Sequence, residues 1–324
     1  MVKALLSLIA ALALVMGAAA QAESWPAKPV RVIVAFPAGG GVDFVARVVA
    51  QRLSEELKQT FVVDNRSGAN GAIGADVVAK SAPDGYTVLI ASPGEVVVGP
   101  SAGQKVPYDV ARDFIPVTLI GETPLVIAAH PSFPGKNIAD AIAMAKKEPG
   151  KYAYGTPGAG SSMHFAGESL NVLAGVDLPH VPYKGAAPAV NDLLGGQVPL
   201  GIVGMPPTVA HAKAGKLKIL AVTSDKRSSA MPDVPAVAEM PGFSGYRFTN
   251  WMGVFVPAKT PNDVVQRLAD EIAKIVREPA IRDKLIGQGV EPKGNTPAEF
   301  SAFMKSEIQR YSTIAKERGI RAEP

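Results

Sequence analysis

The order of its apolar segments constrains this chain most. Short apolar strands alternate with amphipathic helices along nearly its whole length. Val30–Phe36 reads as a buried strand and leads into a helix over about Asp43–Lys58. Phe61–Val63 reads as a short strand, Asn70–Ser81 as a helix, and Thr87–Ala91 as a strand after the turn Pro83-Asp84-Gly85. A βαβαβ order argues for a parallel sheet wrapped in helices. Further strands are expected at Pro124–Ala129, Tyr152–Gly155, Leu178–Val181, Val198–Val203 and Ile219–Val222. Helices are expected at Ile138–Lys147 and near 162–174, 186–195 and 206–214.

The C-terminal part is helical. Thr260-Pro261-Asn262-Asp263 offers an N-cap threonine, a first-turn proline and an early acid. Val264, Val265, Leu268, Ile272, Ile275 and Val276 then share one helical face. Thr296-Pro297-Ala298-Glu299 has the pattern of a capping box, ahead of a helix that buries Phe300, Phe303, Met304, Ile308, Tyr311 and Ile314. No long linker divides the chain. Two apolar strands, Leu125–Ala129 and Trp251–Pro257, bracket a middle block with its own αβ alternation. The expected architecture is therefore a discontinuous α/β fold of two lobes, each a sheet flanked by helices: residues 23–126 with 251–324, and residues 127–250. A cleft between two such lobes is a favoured place for a small ligand.

The N-terminus is set apart. Lys3 precedes a run from Ala4 to Met16 that is apolar except for Ser7, and small residues lead to Ala20-Gln21-Ala22. This is the pattern of a secretory signal peptide cleaved after Ala22, and the apolar run is short for a bilayer span. About 302 residues (324 minus 22) would remain. With 47% apolar residues the chain can bury a sizeable core. The absence of cysteine removes disulfides, thiolate metal sites, cysteine nucleophiles and a lipid-anchored N-terminus. The formal charge is +4, with lysine and arginine spread along the chain, so nucleic acid is not expected as a partner.

Three glycine loops stand at helix starts. Pro37-Ala38-Gly39-Gly40-Gly41 lets the backbone approach a ligand, and the helix that follows adds positive dipole. Together these make an anion site without a cationic side chain. Asp43 reads as a helix-capping or first-turn acid, with direct ligand contact as the alternative. The second loop is Gly155-Thr156-Pro157-Gly158-Ala159-Gly160-Ser161-Ser162, whose hydroxyls can donate to an oxyanion. The third is Tyr183-Lys184-Gly185-Ala186-Ala187. Each could be an ordinary βα turn, but three of them, split between two lobes, suggest an anion held from both sides. G-x-x-x-x-G-K-[ST] does not occur, and G-x-G-x-x-G does not occur in the first loop, which argues against nucleotides.

No catalytic set assembles. Gly99-Pro100-Ser101-Ala102-Gly103 matches G-x-S-x-G, but Gln104-Lys105-Val106-Pro107 follows without a helical period, so the strand–elbow–helix context fails. Ser161, Ser162 and His164 are close in sequence, whereas a serine and its base usually come from separate segments; His164 reads as packed or hydrogen-bonded near the loop. His130, His164, His180 and His211 have no i,i+4 partner, and no metal or cofactor is expected. Arg66 in Asp64-Asn65-Arg66-Ser67 reads as half of a loop ion pair. Anion donors without an acid, base or nucleophile constellation point to binding and not to an enzyme.

Trp25-Pro26-Ala27-Lys28-Pro29-Val30-Arg31 and Phe36-Pro37-Ala38-Gly39-Gly40-Gly41-Val42-Asp43 resemble the opening of the Bug family, the periplasmic substrate-binding receptors of tripartite tricarboxylate transporters. The resemblance continues through Asp64–Ala69, Gly71–Gly74, Ala82–Thr87, Tyr154–His164, Val181–Gly185 and Phe255–Pro261, and so covers essentially the whole mature chain. It implies a two-lobed periplasmic-binding-protein fold of the Venus-flytrap, type II-like kind. It also implies a small carboxylate as ligand, a membrane permease as partner and no enzymatic activity. With the loops it gives a candidate ligand-binding set. The first loop contributes Phe36, Ala38, Gly39, Gly40 and Asp43, and Ser92 joins them. The second contributes Thr156, Gly160, Ser161, Ser162 and His164. Tyr183, Lys184, Gly185 and Met205 complete the set.

Two departures bear on the ligand. Val42 stands where the family commonly has Thr or Ser. Ile202-Val203-Gly204-Met205-Pro206-Pro207 lacks the Asp or Asn often found there, and Ser92-Pro93-Gly94-Glu95 is less typical. A less polar or aromatic acid is therefore expected over an acidic amino acid. The alternatives are a ligand-sensing receptor that signals without transport and, as a different class, a hydrolase acting on a carboxylate ester or amide. A monomer is the expected state.

Overall fold

The computed structural model describes residues 25–321. The expected leader, residues 1–22 with cleavage after Ala22, lies outside the described residues. In chain order the elements are β1 (Val30–Val34), α1 (Gly41–Leu57), β2 (Phe61–Asn65), α2 (Ala72–Ala79), β3 (Thr87–Ala91), β4 (Phe114–Ala129), α3 (Ile138–Lys147), β5 (Tyr154–Thr156), α4 (Ser162–Ala174), β6 (His180–Pro182), α5 (Ala186–Leu194), β7 (Leu200–Gly204), α6 (Pro206–Lys213), β8 (Lys218–Val222), β9 (Thr249–Pro257), α7 (Asn262–Arg277), α8 (Pro279–Ile286), β10 (Glu291–Pro292) and α9 (Pro297–Arg318), with short helical turns between some of them.

β1 pairs in parallel with β2 and β3, so that Val34 stands opposite Asn65 on one side and Ile90 on the other. β3 pairs antiparallel with β9, and β9 antiparallel with β4. β4 is longer than the Pro124–Ala129 strand expected from the sequence. It begins at Phe114, and the pairing shifts between Pro116 and Thr118. Proline interrupts a strand pattern because it lacks a ladder donor; here an irregular register absorbs it. The first part of β4 pairs with β9 and β10, and Leu125–Ala129 pairs with β7 on one side and β8 on the other. Two sheets thus share one strand, and the exchange falls between Pro124, opposite Thr249, and Leu125, opposite Gly204.

Strand direction brings the loops together. Because β3–β9 and β9–β4 are both antiparallel, β4 runs with β1 and β3 and leaves the first sheet past the edge where they end. β7 runs against β4, and β5 and β6 run parallel to β7, so their C-terminal ends point back toward the first sheet. The segments after β1, β3, β5, β6 and β7 all face one gap.

Thr223 clasps the exchange. Its N–H donates to Leu125 O at 3.0 Å, Leu125 N–H donates to its hydroxyl at 3.0 Å, and its hydroxyl donates to Phe248 O. Helices cover both faces. Val45, Val49, Leu268 and Ile272 pack against Val32 and Val254 on one face of the first sheet. On the other, Leu89, Phe255 and Phe300 belong to a cluster that runs on to Tyr154 and Phe165 of the second sheet. Helix α9 spans this continuity: Phe300 lies against Gly253, while Tyr311 meets Phe165 at 4.9 Å and Arg318 pairs with Glu168 at 2.7 Å.

The apolar face expected on α7 is buried, and Thr296 with Glu299 forms the expected capping box of α9. Thr260 is not the cap of α7. Pro261 holds that place without a side-chain bond, and the Thr260 hydroxyl donates instead to Pro257 O at 2.7 Å. Among the described residues no helix is long and apolar enough to cross a membrane.

Candidate functional site

The first loop is shaped by Asp43. Its Oδ2 accepts from Gly39 N–H at 2.9 Å and Arg47 Nε at 3.0 Å, and its Oδ1 accepts from Asn65 Nδ2 at 2.9 Å. The same Asn65 amide donates to Phe36 O at 3.0 Å. Burial alone would raise the carboxyl pKa, but these hydrogen bonds and the Arg47 charge hold it below the usual range. Asp43 therefore positions the loop, in keeping with its reading as a helix-start acid. Gly39 takes φ +85°, a conformation suited to glycine. Ala38, Gly39, Gly40 and Gly41 are exposed. Gly40 is the N-cap of the 17-residue α1 and gives no side-chain cap, so the first N–H groups of that helix stay open. Val42 is buried in the core and offers a ligand only its backbone.

The second loop is wired internally. The Ser161 hydroxyl donates to Gly158 O at 2.7 Å and accepts from His164 N–H at 3.3 Å, capping α4. The hydroxyl of Thr156, a fully buried residue, lies 2.7 Å from His180 Nε2 and 3.1 Å from Gly158 O. The Thr156 and Ser161 hydroxyls are thus engaged within the loop and by His180. Gly160 takes φ +67°, and its N–H donates to His164 Nδ1 at 3.1 Å. The rings of His164 and His180 stack at 3.8 Å. Burial, reinforced by His164, pushes His180 down to about 4, and burial lowers His164 as well. Both rings are neutral at neutral pH. With Nδ1 engaged by Gly160 and Ser161 Oγ engaged by Gly158, His164 and Ser161 do not form a base–nucleophile pair. The donors left for an anion are the backbone N–H groups at the start of α4 and the hydroxyl of its first residue, the half-buried Ser162.

The third loop docks on the second. Tyr183 N–H donates to Thr156 O at 2.9 Å and Gly185 N–H donates to Pro157 O at 2.8 Å. Tyr183 is half-buried over Gly155, where an added Cβ would lie 2.9 Å from the ring; burial and Asp192 push its hydroxyl up to about 12. Lys184 is exposed. Met205 is fully buried, with Ser228 Oγ 3.8 Å from its Sδ, so in this structure it packs in the core. Ser92 is also buried and donates to Glu95 through N–H and hydroxyl, both at 2.9 Å. Arg66 pairs with Asp64 at 3.0 Å, as read from the sequence.

The supporting residues Arg47, Asn65, Glu95 and His180 escaped the sequence reading. Glu95, an acid between Gly94 and three valines, carried a signal, since an acid inside an apolar run calls for a local partner. Arg47 carried one too, standing one helical turn after Asp43, whereas Asn65 and His180 reach their loops only through the fold.

Residues 45–320 match the model of the tripartite tricarboxylate transporter family receptor, TctC. This chain belongs to that family. Protein BugT of Bordetella pertussis is 38% identical over 299 residues, covering 92% of this chain and 91% of BugT. Among solved structures, Rpa4515 of R. palustris with adipate is 37% identical, with a TM-score of 0.79 over 92% of this chain and 99% of that one. MatC from Rhodopseudomonas palustris with bound malate is 29% identical, with a TM-score of 0.73 over 90% and 99% of the two chains. The TctC receptors are solute-binding proteins of the two-lobed periplasmic type, and the paired sheets described above are that fold.

Proposed function

We propose that this TctC-family receptor captures a small carboxylate in the gap between its two sheets and delivers it to the membrane subunits of a tripartite tricarboxylate transporter. The lobes of this reading are residues 23–126 with 251–324, and residues 127–250. The observation that carries it is the convergence of an uncapped α1 N-terminus after β1 with the loops after β5 and β6. Such donors suit a carboxylate without a cation. Adipate and malate on two relatives supply the same chemistry. Buried Val42 and the apolar Ile202–Met205 stretch favour an acid with a weakly polar or aromatic remainder. The protein would act as a periplasmic monomer after cleavage at Ala22, and it would perform no chemistry on its ligand.

A thermal-shift screen of residues 23–324 tests this reading against mono-, di- and tricarboxylates, acidic amino acids, aromatic acids and neutral amides. A ligand at one hundred times its Kd adds about 2.7 kcal/mol of stability. Stabilisation by acids with silent amides is expected. Silence across all acids, after removal of co-purified ligand, would overturn the reading.

A further inference from the structure

Glu95 stands at the gap-facing end of β3, and the binding reading above makes no use of it. The parallel register sets Val34 opposite Ile90, so Phe36 of the first loop neighbours Ser92 across the strands. β1 connects through α1 to β2 on one side, while β3 lies on the other. The loops after β1 and β3 therefore flank a switch point of the sheet, the usual location of a ligand in such folds. Two donors converge there, Ser92 N–H and the Ser92 hydroxyl, and both are taken by the carboxyl of Glu95 at 2.9 Å.

The surroundings are built around that carboxyl. Glu95 is 1% exposed, and no Lys, Arg or His lies within ion-pair distance of it among the described residues. Burial lifts its pKa to about 7 although the Ser92 bonds oppose the rise, so it carries charge once the pH exceeds neutrality. Gly94–Val98 forms a π-helical turn, a rare element concentrated at functional sites. Above it, Gly68, Ala69, Asn70 and Gly71 have φ of +131°, +47°, +50° and +89°, with two non-glycine residues in a costly region. That backbone brings Gly71 so near that an added Cβ would stand 2.9 Å from Glu95 Cβ. The Tyr108 hydroxyl fastens the Glu95 carbonyl at 2.7 Å.

We infer that Glu95 is a specificity-determining residue: it occupies with an internal carboxylate the donors that a second ligand carboxylate would use, and its charge repels that group, so the receptor takes monocarboxylic acids in preference to matched dicarboxylic acids. The inference rests on the carboxylate-binding reading above and adds to it a repulsive element, which is how discrimination between similar ligands is commonly achieved.

Calorimetry at about pH 8, where the carboxyl is ionised, tests this on the whole mature protein with three matched pairs: butyrate and succinate, hexanoate and adipate, benzoate and terephthalate. The native protein is expected to bind one monocarboxylate at least about tenfold more tightly than its partner. In Glu95→Gln, isosteric and neutral, that gap should close. Glu95→Ala, which frees both Ser92 donors, should close it as well, and a thermal melt establishes that each variant is folded. Dicarboxylate binding by the native protein as tight as that of its partner, or a gap unchanged in both folded variants, would overturn the role of Glu95 and leave the proposed function standing. Binding of no acid, here and in the wider screen, would remove both.

Discussion

Asp43 and Gly40 divide the work of one loop. Asp43 commits its carboxylate to Gly39, Arg47 and Asn65, while Gly40 leaves space above the helix start. Gly40 has φ −80°, and a Cβ added there would meet only Pro37 O, at 3.5 Å, so a larger residue meets little strain. Gly40→Leu should therefore keep the native melting temperature yet lower carboxylate affinity by about tenfold or more, roughly 1.4 kcal/mol by calorimetry; affinity within about twofold of native would remove the loop from the site. The histidine stack predicts a pH effect. The folded pKa of His180 lies near 4 against an ordinary value of 6.5, so the unfolded chain binds more protons between these values. Its stabilising contribution is present above the unfolded value and is lost as pH falls from 6.5 toward about 4. Urea unfolding across that window should show stability falling with pH, with a shallower slope in His180→Phe.

At the scale of elements, α4 carries the second loop at its N-terminus and is held in place by its own packing. Gly167 lies against Tyr154, where an added Cβ would come within 2.2 Å of the ring. The Tyr154 hydroxyl donates to Glu168 at 3.0 Å, and Glu168 also receives Arg318 of α9. Gly167→Ala must displace that aromatic ring and should cost about 1–3 kcal/mol in chemical denaturation. Because α4 sets the loop, ligand affinity should fall as well. The glycine loops, the helix periods and the capping box of α9 were legible in the sequence because each depends on neighbours within a few residues. The early half of β4 was not, since Pro116 hides a strand whose register adapts around it. Thr260 misled for a related reason: its cap pattern is local, but its hydroxyl found Pro257 O.

For the whole molecule, the passage of β4 from one sheet to the other is where the two sheets are joined. Thr223 ties Leu125 to Phe248 there from a fully buried position. Thr223→Val keeps the shape and strands buried polar backbone, so it should cost about 1–3 kcal/mol of unfolding free energy. A carboxylate touching both sheets would favour a closed population. Small-angle scattering should accordingly show a smaller radius of gyration at ligand saturation; an unchanged radius would argue against closure.

The sequence by itself determined the class of fold and the three loops, because hydrophobic periodicity and glycine placement act over short chain distances. It also carried the family, through long collinear segments. The structure decided which polar groups are buried and to which partners each is committed. The hydroxyls of Thr156 and Ser161 serve their own loop, Asp43 holds another, Met205 is core, and Glu95 fills the donors of Ser92. A buried polar atom must find a partner: Asp43, Ser161 and Ser92 find one within four residues, whereas strand order brings Asn65 to Asp43 and His180 to Thr156.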